Sequence, residues 1–256
     1  MRVESNLQRS ELILDSDNRL FGKDLRIVAA LDVEWVKNYH VKGGSRPFCY
    51  SICLLRILDA AQSAPSVLRS FGFKSVYVDN AKEEGALLRS LNDDLTGVTS
   101  SPRITIAGHQ LCADLSVVLN ATSDQLDNVE ALYALWRERR KTRRVIDTRY
   151  DIDSLLLGTS RRLVDVATEL RLDVSQPELG KNSMTALHKL FLSEGTELVR
   201  EKLMVLNLRH SLSTAIIAAI KLGEVRQEEL NVNRLIRETC WDRFSYVDSE
   251  NFETLL

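Results

Sequence analysis

The 256-residue chain lacks an excess of either charge: 34 Lys and Arg stand against 36 Asp and Glu, a formal net charge of -2. That balance excludes a protein that coats duplex DNA through an all-round basic surface, so any nucleic-acid contact must come from a local patch. Also missing is any run approaching the roughly 20 apolar residues of a membrane span. The N-terminal MRVESNLQRSELILDSDNRL has no apolar segment of signal-peptide type, so the expected location is intracellular and cytoplasmic, with no membrane partner. Cysteine is scarce, and the four residues follow no disulfide or zinc pattern. Cys49 and Cys53 in RPFCYSICLLRI could be half of a zinc site with a nearby His, but no second pair follows at finger spacing. They are read as buried free thiols of a reducing compartment. Internal repeats and low-complexity tracts are absent as well.

What is there is an ordinary globular balance, 44% hydrophobic and 27% charged, which excludes a disordered chain. RIVAALDVEW (26–35) is nearly continuous in its apolar character, the mark of a strand covered on both faces. A loop with Gly43, Gly44 and Pro47 leads to PFCYSICLLRI, and SVYVDN completes an expected antiparallel trio. AKEEGALLRSLNDDL has helical spacing, RITIAGHQ reads as a fourth strand, LCADLSVVLNA and DNVEALYALWRERR as helices, and RRVIDT as a fifth strand. Three further helical patterns follow, SRRLVDVATELRL, KNSMTALHKLFLSEGTELVREKL and NLRHSLSTAIIAAIKLG. The expectation is one α/β domain over 25–223, with a five-stranded mixed sheet flanked by helices and a helical C-terminal part. Residues 1–24 and 224–256 are read as extensions. The second carries Trp241, Phe244, Tyr246 and Phe252, which would pack on the domain or on a second subunit.

Asp32 and Glu34 lie two residues apart inside the first buried strand, so they point to the same face. Two adjacent buried carboxylates cost several kcal/mol unless something cationic neutralises them. A hard divalent ion does so best, because Mg²⁺ prefers carboxylate and water oxygens. IAGHQLCADLSVVL then places Gly108-His109 at a strand end and Asp114 in the first turn of the next helix, within reach of the cleft at the strand ends. The bland readings are an early-helix acid favoured by the dipole and a satisfied core imidazole. In NLRHSLSTAIIAAI, His210 sits near the start of a helical pattern, where an imidazole can take a proton from water at neutral pH.

The order D-x-E, G-H-x-x-x-x-D and R-H resembles the three motifs of the DEDD exonucleases, closest to the DEDDh branch, the RNase T and DnaQ-like group. VIDTRYDIDSLL and LVDVATELRLDV also resemble that family's connecting text, and the likeness runs from about residue 25 to 223. It implies a ribonuclease H-like fold and a 3'-5' exonuclease that releases nucleoside 5'-monophosphates from single-stranded RNA or DNA. Asp32, Glu34 and Asp114 would hold two Mg²⁺ or Mn²⁺ ions, and His210 would be the general base. Several relatives are dimers, which implies a possible homodimer here. The third motif is degenerate. The family's H-x-x-x-x-D would put its fourth carboxylate at position 215, which is Ala215, preceded by Thr214. His188 with Glu194 is the poorer match, with a further apolar helix still to come. The alternative implied by the missing acid is an inactive exonuclease fold that binds nucleic acid or a protein partner.

Substrate contacts are expected from His109 and from the loop after the first motif, DVEWVKNYHVKGG. There Trp35, Tyr39 and His40 could stack on bases while Lys37 and Lys42 meet phosphates. WRERRKTRR, with Arg137, Arg139, Arg140, Lys141, Arg143 and Arg144, is the densest basic run. It is either a solvated helix end or the local patch that the overall charge requires.

Overall fold

A computed structural model of the chain describes residues 1–7, 25–38, 40–41, 44–58, 71–180, 182–225 and 229–256. Tyr39, Lys42, Gly43 and most of the N-terminal extension lie outside the described residues. In chain order the elements are β1 (Arg2–Ser5), β2 (Leu25–Val36), β3 (Arg46–Leu58), β4 (Gly72–Tyr77), α1 (Glu84–Ser100), β5 (Ile104–Gly108), α2 (Leu111–Ala121) and α3 (Asp127–Arg137). They continue with α4 (Arg139–Thr142), β6 (Val145–Asp147), α5 (Leu163–Glu169), β7 (Leu172–Asp173), α6 (Met184–Glu194), α7 (Glu197–Lys221), β8 (Leu230–Asn231), α8 (Val232–Cys240) and α9 (Glu250–Glu253).

Six strands form one mixed sheet in the order β1-β4-β3-β2-β5-β6. β2, β3 and β4 pair antiparallel with one another, as expected, while β5 runs parallel to β2 and β6 parallel to β5. The expected count of five is corrected to six. Arg2–Ser5 pairs antiparallel with β4, and the Asn6 side chain continues the contact through the Phe71 carbonyl and the Phe73 N–H. A four-residue strand is too short to announce itself by alternation, and its pairing covers an otherwise open sheet edge.

Helices cover both faces of the sheet. On one face Tyr50 of β3 donates to Asp94 of α1 at 2.6 Å, and Lys74 of β4 reaches the same carboxylate at 2.7 Å. The other face belongs to α7, where Cys49 and Cys53 of β3 meet Asn207 and Ser211. Cys49, Cys53 and Cys240 are buried and Cys112 is half-buried, all as free thiols. The most apolar window of α7 is 94% buried, the environment of a core helix.

One boundary differs with consequence. The pattern through KNSMTALHKLFLSEGTELVREKL breaks at Gly195, which takes φ +66 and ends α6. From Glu197 the helix then runs 25 residues without interruption, because nothing between Glu197 and Lys221 is Gly or Pro. His210 therefore sits in mid-helix, not near a helix start.

The C-terminal segment packs on the domain. Phe244, Tyr246 and Phe252 are buried, with Phe244 against Phe73 and Phe252 against Tyr246, while Trp241 stays 66% exposed.

Candidate metal centre

β2 outruns β5: their pairing ends at Ala30 and Ala107, and the remaining half of β2 carries Asp32 and Glu34 past that edge. A bulge between Glu34 and Trp35 shifts the register against β3, where Glu34 faces Cys49 but Trp35 faces Pro47. Such a bulge re-aims side chains beside it. Asp32 and Glu34 share the face that looks toward α7, as their spacing implies. His210 Nδ1 lies 3.2 Å from Glu34 Oε1 and 3.6 Å from Asp32 Oδ2. One ligand atom each of Asp32, Glu34 and His210 fall within 4.8 Å of one another.

Asp114, on α2, lies close enough to this group to feel the charges of Asp32 and Glu34, although its oxygens are not among the ligand atoms that cluster. The strand-to-helix turn that delivers it depends on Gly108, where a Cβ would stand 2.7 Å from the Leu111 Cβ, and on Gln110 at φ 64. Asp147, fully buried at the end of β6, accepts the Gln110 and Leu111 N–H groups at 3.0 Å each and the Trp136 indole N–H at 2.9 Å. It serves as the N-terminal cap of α2 from another strand. Replacing Asp147 by Ala leaves those donors buried and unpaired, so a loss on the order of 3 kcal/mol in chemical denaturation is expected.

Asp114 is 3% exposed, and its Oδ2 is buried with no hydrogen-bond partner. Burial, then the charges of Asp32 and Glu34, push its carboxyl well above the usual range. Glu34 is raised first by burial, against the hydrogen bond from His210. For His210 burial works downward, but the hydrogen bonds and charges of Asp32 and Glu34 outweigh it and lift the imidazole to about 10. The ring is thus the local cation among three carboxyl groups.

Two residues at the site escaped the sequence reading. Asn207, one turn before His210 on α7, donates Nδ2 to Asp32 Oδ2 at 2.6 Å. Gln176 Oε1 lies 3.0 Å from His210 Nε2. The i, i+3 spacing of N-x-x-H signals Asn207 once the helix is known to be continuous; Gln176 has no signal, since a loop delivers it from 34 residues away. Position 215 lies about 140° round the axis from His210, and Ala215 is fully buried in the apolar core.

The expected substrate contacts divide. His109 follows directly on β5, its Nδ1 3.0 Å from Thr148 Oγ1; burial lowers it to about 4, while the Asp32 charge opposes that shift. Trp35 is half-buried, its carbonyl accepting Thr185 Oγ1 at 3.3 Å, and Lys37 and His40 are exposed. Arg139 is committed to the fold: Nε meets Asp151 at 2.9 Å and the guanidinium lies over the Trp136 ring. Arg140 and Lys141 are exposed, whereas Arg144 donates to the Thr99 and Ser101 carbonyls.

His188 stands apart from this group. It stacks on Phe48 and shares a 2.6 Å hydrogen bond with Tyr77, while Glu194 is exposed. Burial lowers it to about 4. A histidine lowered on folding contributes stability that is present above its ordinary value and lost as pH falls from about 6.5 toward 4. Denaturant titrations at pH 7 and 4.5 are expected to differ by about 2–3 kcal/mol more in the wild type than in His188→Asn.

No family model, curated protein or solved structure matches this chain.

Proposed function

We propose that the protein is a divalent-metal-dependent 3'-5' exonuclease of ribonuclease H-like fold, shortening single-stranded RNA or DNA. The observation that carries this reading is the meeting of Asp32, Glu34 and His210, beside which the buried Asp114 feels the charges of both acids. Three carboxyl groups beside one another ionise together only with more positive charge than one imidazolium supplies, and hard dications seek such oxygen donors. The strand order, with three antiparallel strands followed by two parallel ones, supports the fold assignment.

The residues fit a Mg²⁺ or Mn²⁺ centre, with Asp32, Glu34 and Asp114 as oxygen ligands. Bound ions of this kind activate water and stabilise the departing oxygen of a phosphodiester. The chain's own residues do the rest. Asn207 fixes the Asp32 carboxylate, Asp147 anchors the helix that presents Asp114, and Lys37 contributes positive charge that Glu34 feels. His109 stays neutral at physiological pH, with its ring buried and held by Thr148.

A specific observation favours the second reading, a silent nuclease fold that binds nucleic acid or a protein. Along α7, positions 207, 214 and 215 are Asn, Thr and Ala, none of them an acid. One assay separates the two. With 5'-labelled single-stranded RNA or DNA and millimolar Mn²⁺, stepwise shortening from the 3' end is expected, stopped by chelation and by Asp32→Ala. Binding without shortening on any single strand would leave the silent fold.

A further inference from the structure

In the family that this chain resembles, the histidine of the third motif is a base and an acid on the same segment is the ligand. The arrangement here is different. Both ring nitrogens of His210 are already engaged by the protein, Nδ1 by Glu34 and Asp32 and Nε2 by Gln176. Neither nitrogen is left to take a proton from water. Without metal the imidazolium donates from Nδ1 to the carboxylates and from Nε2 to Gln176 Oε1; a metal ion would displace the Nδ1 proton to solvent and leave the lone pair there. That lone pair points at the carboxylates, the side from which a cation would be held.

Resting on the metal-dependent reading above, we infer that His210 is itself a metal ligand through Nδ1, oriented by Gln176, and that it makes up for the absent fourth carboxylate. The three ligand atoms within 4.8 Å have the spread of groups around one ion. A second observation agrees: Asp114 Oδ2 is buried without a hydrogen-bond partner beside Asp32 and Glu34, with only the Val33 backbone favouring the charged form of that carboxyl against burial, and a cation would supply what it lacks.

Gln176 is held in place with some force. Two residues on, Glu178 takes both terminal nitrogens of Arg209, the neighbour of His210, at 3.0 and 2.8 Å, and the Tyr246 hydroxyl at 2.8 Å. Arg209 Nε donates to Asn233, whose amide donates to the Ser175 carbonyl. Residues 175–178 are therefore clamped between α7 and the C-terminal segment. That places Gln176 as a positioning residue and makes the C-terminal segment part of the site's support. A histidine ligand whose second nitrogen is fixed by a hydrogen bond is a recurring device in metal proteins. An imidazole also changes selectivity: it favours the first-row transition ions, Mn²⁺ least among them, over Mg²⁺.

The test is electron spin-echo modulation of Mn²⁺ bound to the full chain, with calorimetric titration of Mn²⁺ and Mg²⁺. Directly coordinated imidazole should give ¹⁴N modulation, converted to the ¹⁵N pattern in protein labelled with ¹⁵N-histidine. It should persist in His109→Gln and vanish in His210→Gln. Gln176→Leu, with an unchanged melting temperature without metal, should weaken Mn²⁺ binding about 10–100-fold. The ratio of Mn²⁺ to Mg²⁺ affinity should be larger in the wild type than in His210→Gln. If Mn²⁺ binds but wild type shows no histidine nitrogen coupling, or if the coupling survives in His210→Gln, the ligand assignment is overturned while the metal-dependent reading stands. If Mn²⁺ does not bind at all, both are overturned. The ¹⁵N-histidine spectrum of the wild type in parallel with His109→Gln decides the point even if His210→Gln fails to fold.

Discussion

Glu178→Ala is expected to remove about 3–5 kcal/mol of stability, the range found when one partner of a buried ion pair is deleted. Both side chains of the Arg209–Glu178 pair are 1% exposed, so the mutant leaves a guanidinium in the core with one remaining side-chain acceptor, Asn233. Tyr246 loses its acceptor at the same time. Equilibrium urea unfolding reads the effect, and a change under 1 kcal/mol would show that the clamp is not structural. The pair also gives a pH signature. Burial alone would raise Glu178, but the hydrogen bonds and charge of Arg209, with Tyr246, hold it below the ordinary carboxylate value. A carboxylate lowered on folding contributes stability that is present above its ordinary value and lost as pH falls below it. Glu178→Gln should therefore flatten the acid limb of the stability curve below about pH 4.5. Loss of the clamp should also weaken Mn²⁺ binding, because Gln176 would no longer be held beside His210.

The second large effect is expected from Asn207→Asp, which changes an amide to a carboxylate next to Asp32. Without metal the mutant replaces a hydrogen bond to a charged group by a facing like charge. A loss of about 2–4 kcal/mol is expected. With Mn²⁺ the sign reverses, since an added carboxylate strengthens the hold on a dication. At a free metal concentration of about 100 Kd the ion returns about 2.7 kcal/mol. Thermal melts with and without Mn²⁺ should thus diverge far more in Asn207→Asp than in the wild type. Equal metal-induced shifts in both proteins would exclude position 207 from the site. Ala215→Asp is expected to behave otherwise, placing an acid in the apolar core and destabilising the protein with or without metal.

The elements that were legible in the sequence are those whose signal is local. A near-continuous apolar run marked β2, and the period of two put Asp32 and Glu34 on one face. Gly108-His109 before a helical pattern marked the strand-to-helix junction that delivers Asp114; the folded chain supplies the reason for the glycine, since a Cβ there would collide with Leu111. Four strands and a fifth followed from similar runs. β1 did not, being four residues long and meaningful only beside the β4 edge.

What the tertiary structure decided is how distant pieces share one small volume. From sequence, His210 opened a helix, and the fourth acid was sought five residues later. In the folded chain the helix is continuous from Glu197, so the neighbours of His210 toward the sheet are set by the 3.6-residue turn, and Asn207 stands beside Asp32. Gln176 arrives from a loop whose position depends on Arg209, Asn233 and Tyr246, none of which is near it in the chain. Arg139, one of a dense basic run, turned inward to Asp151 and Trp136. Residue type and spacing within one element determine which face a side chain occupies. Its partner across the fold depends on long-range packing, which no local periodicity encodes.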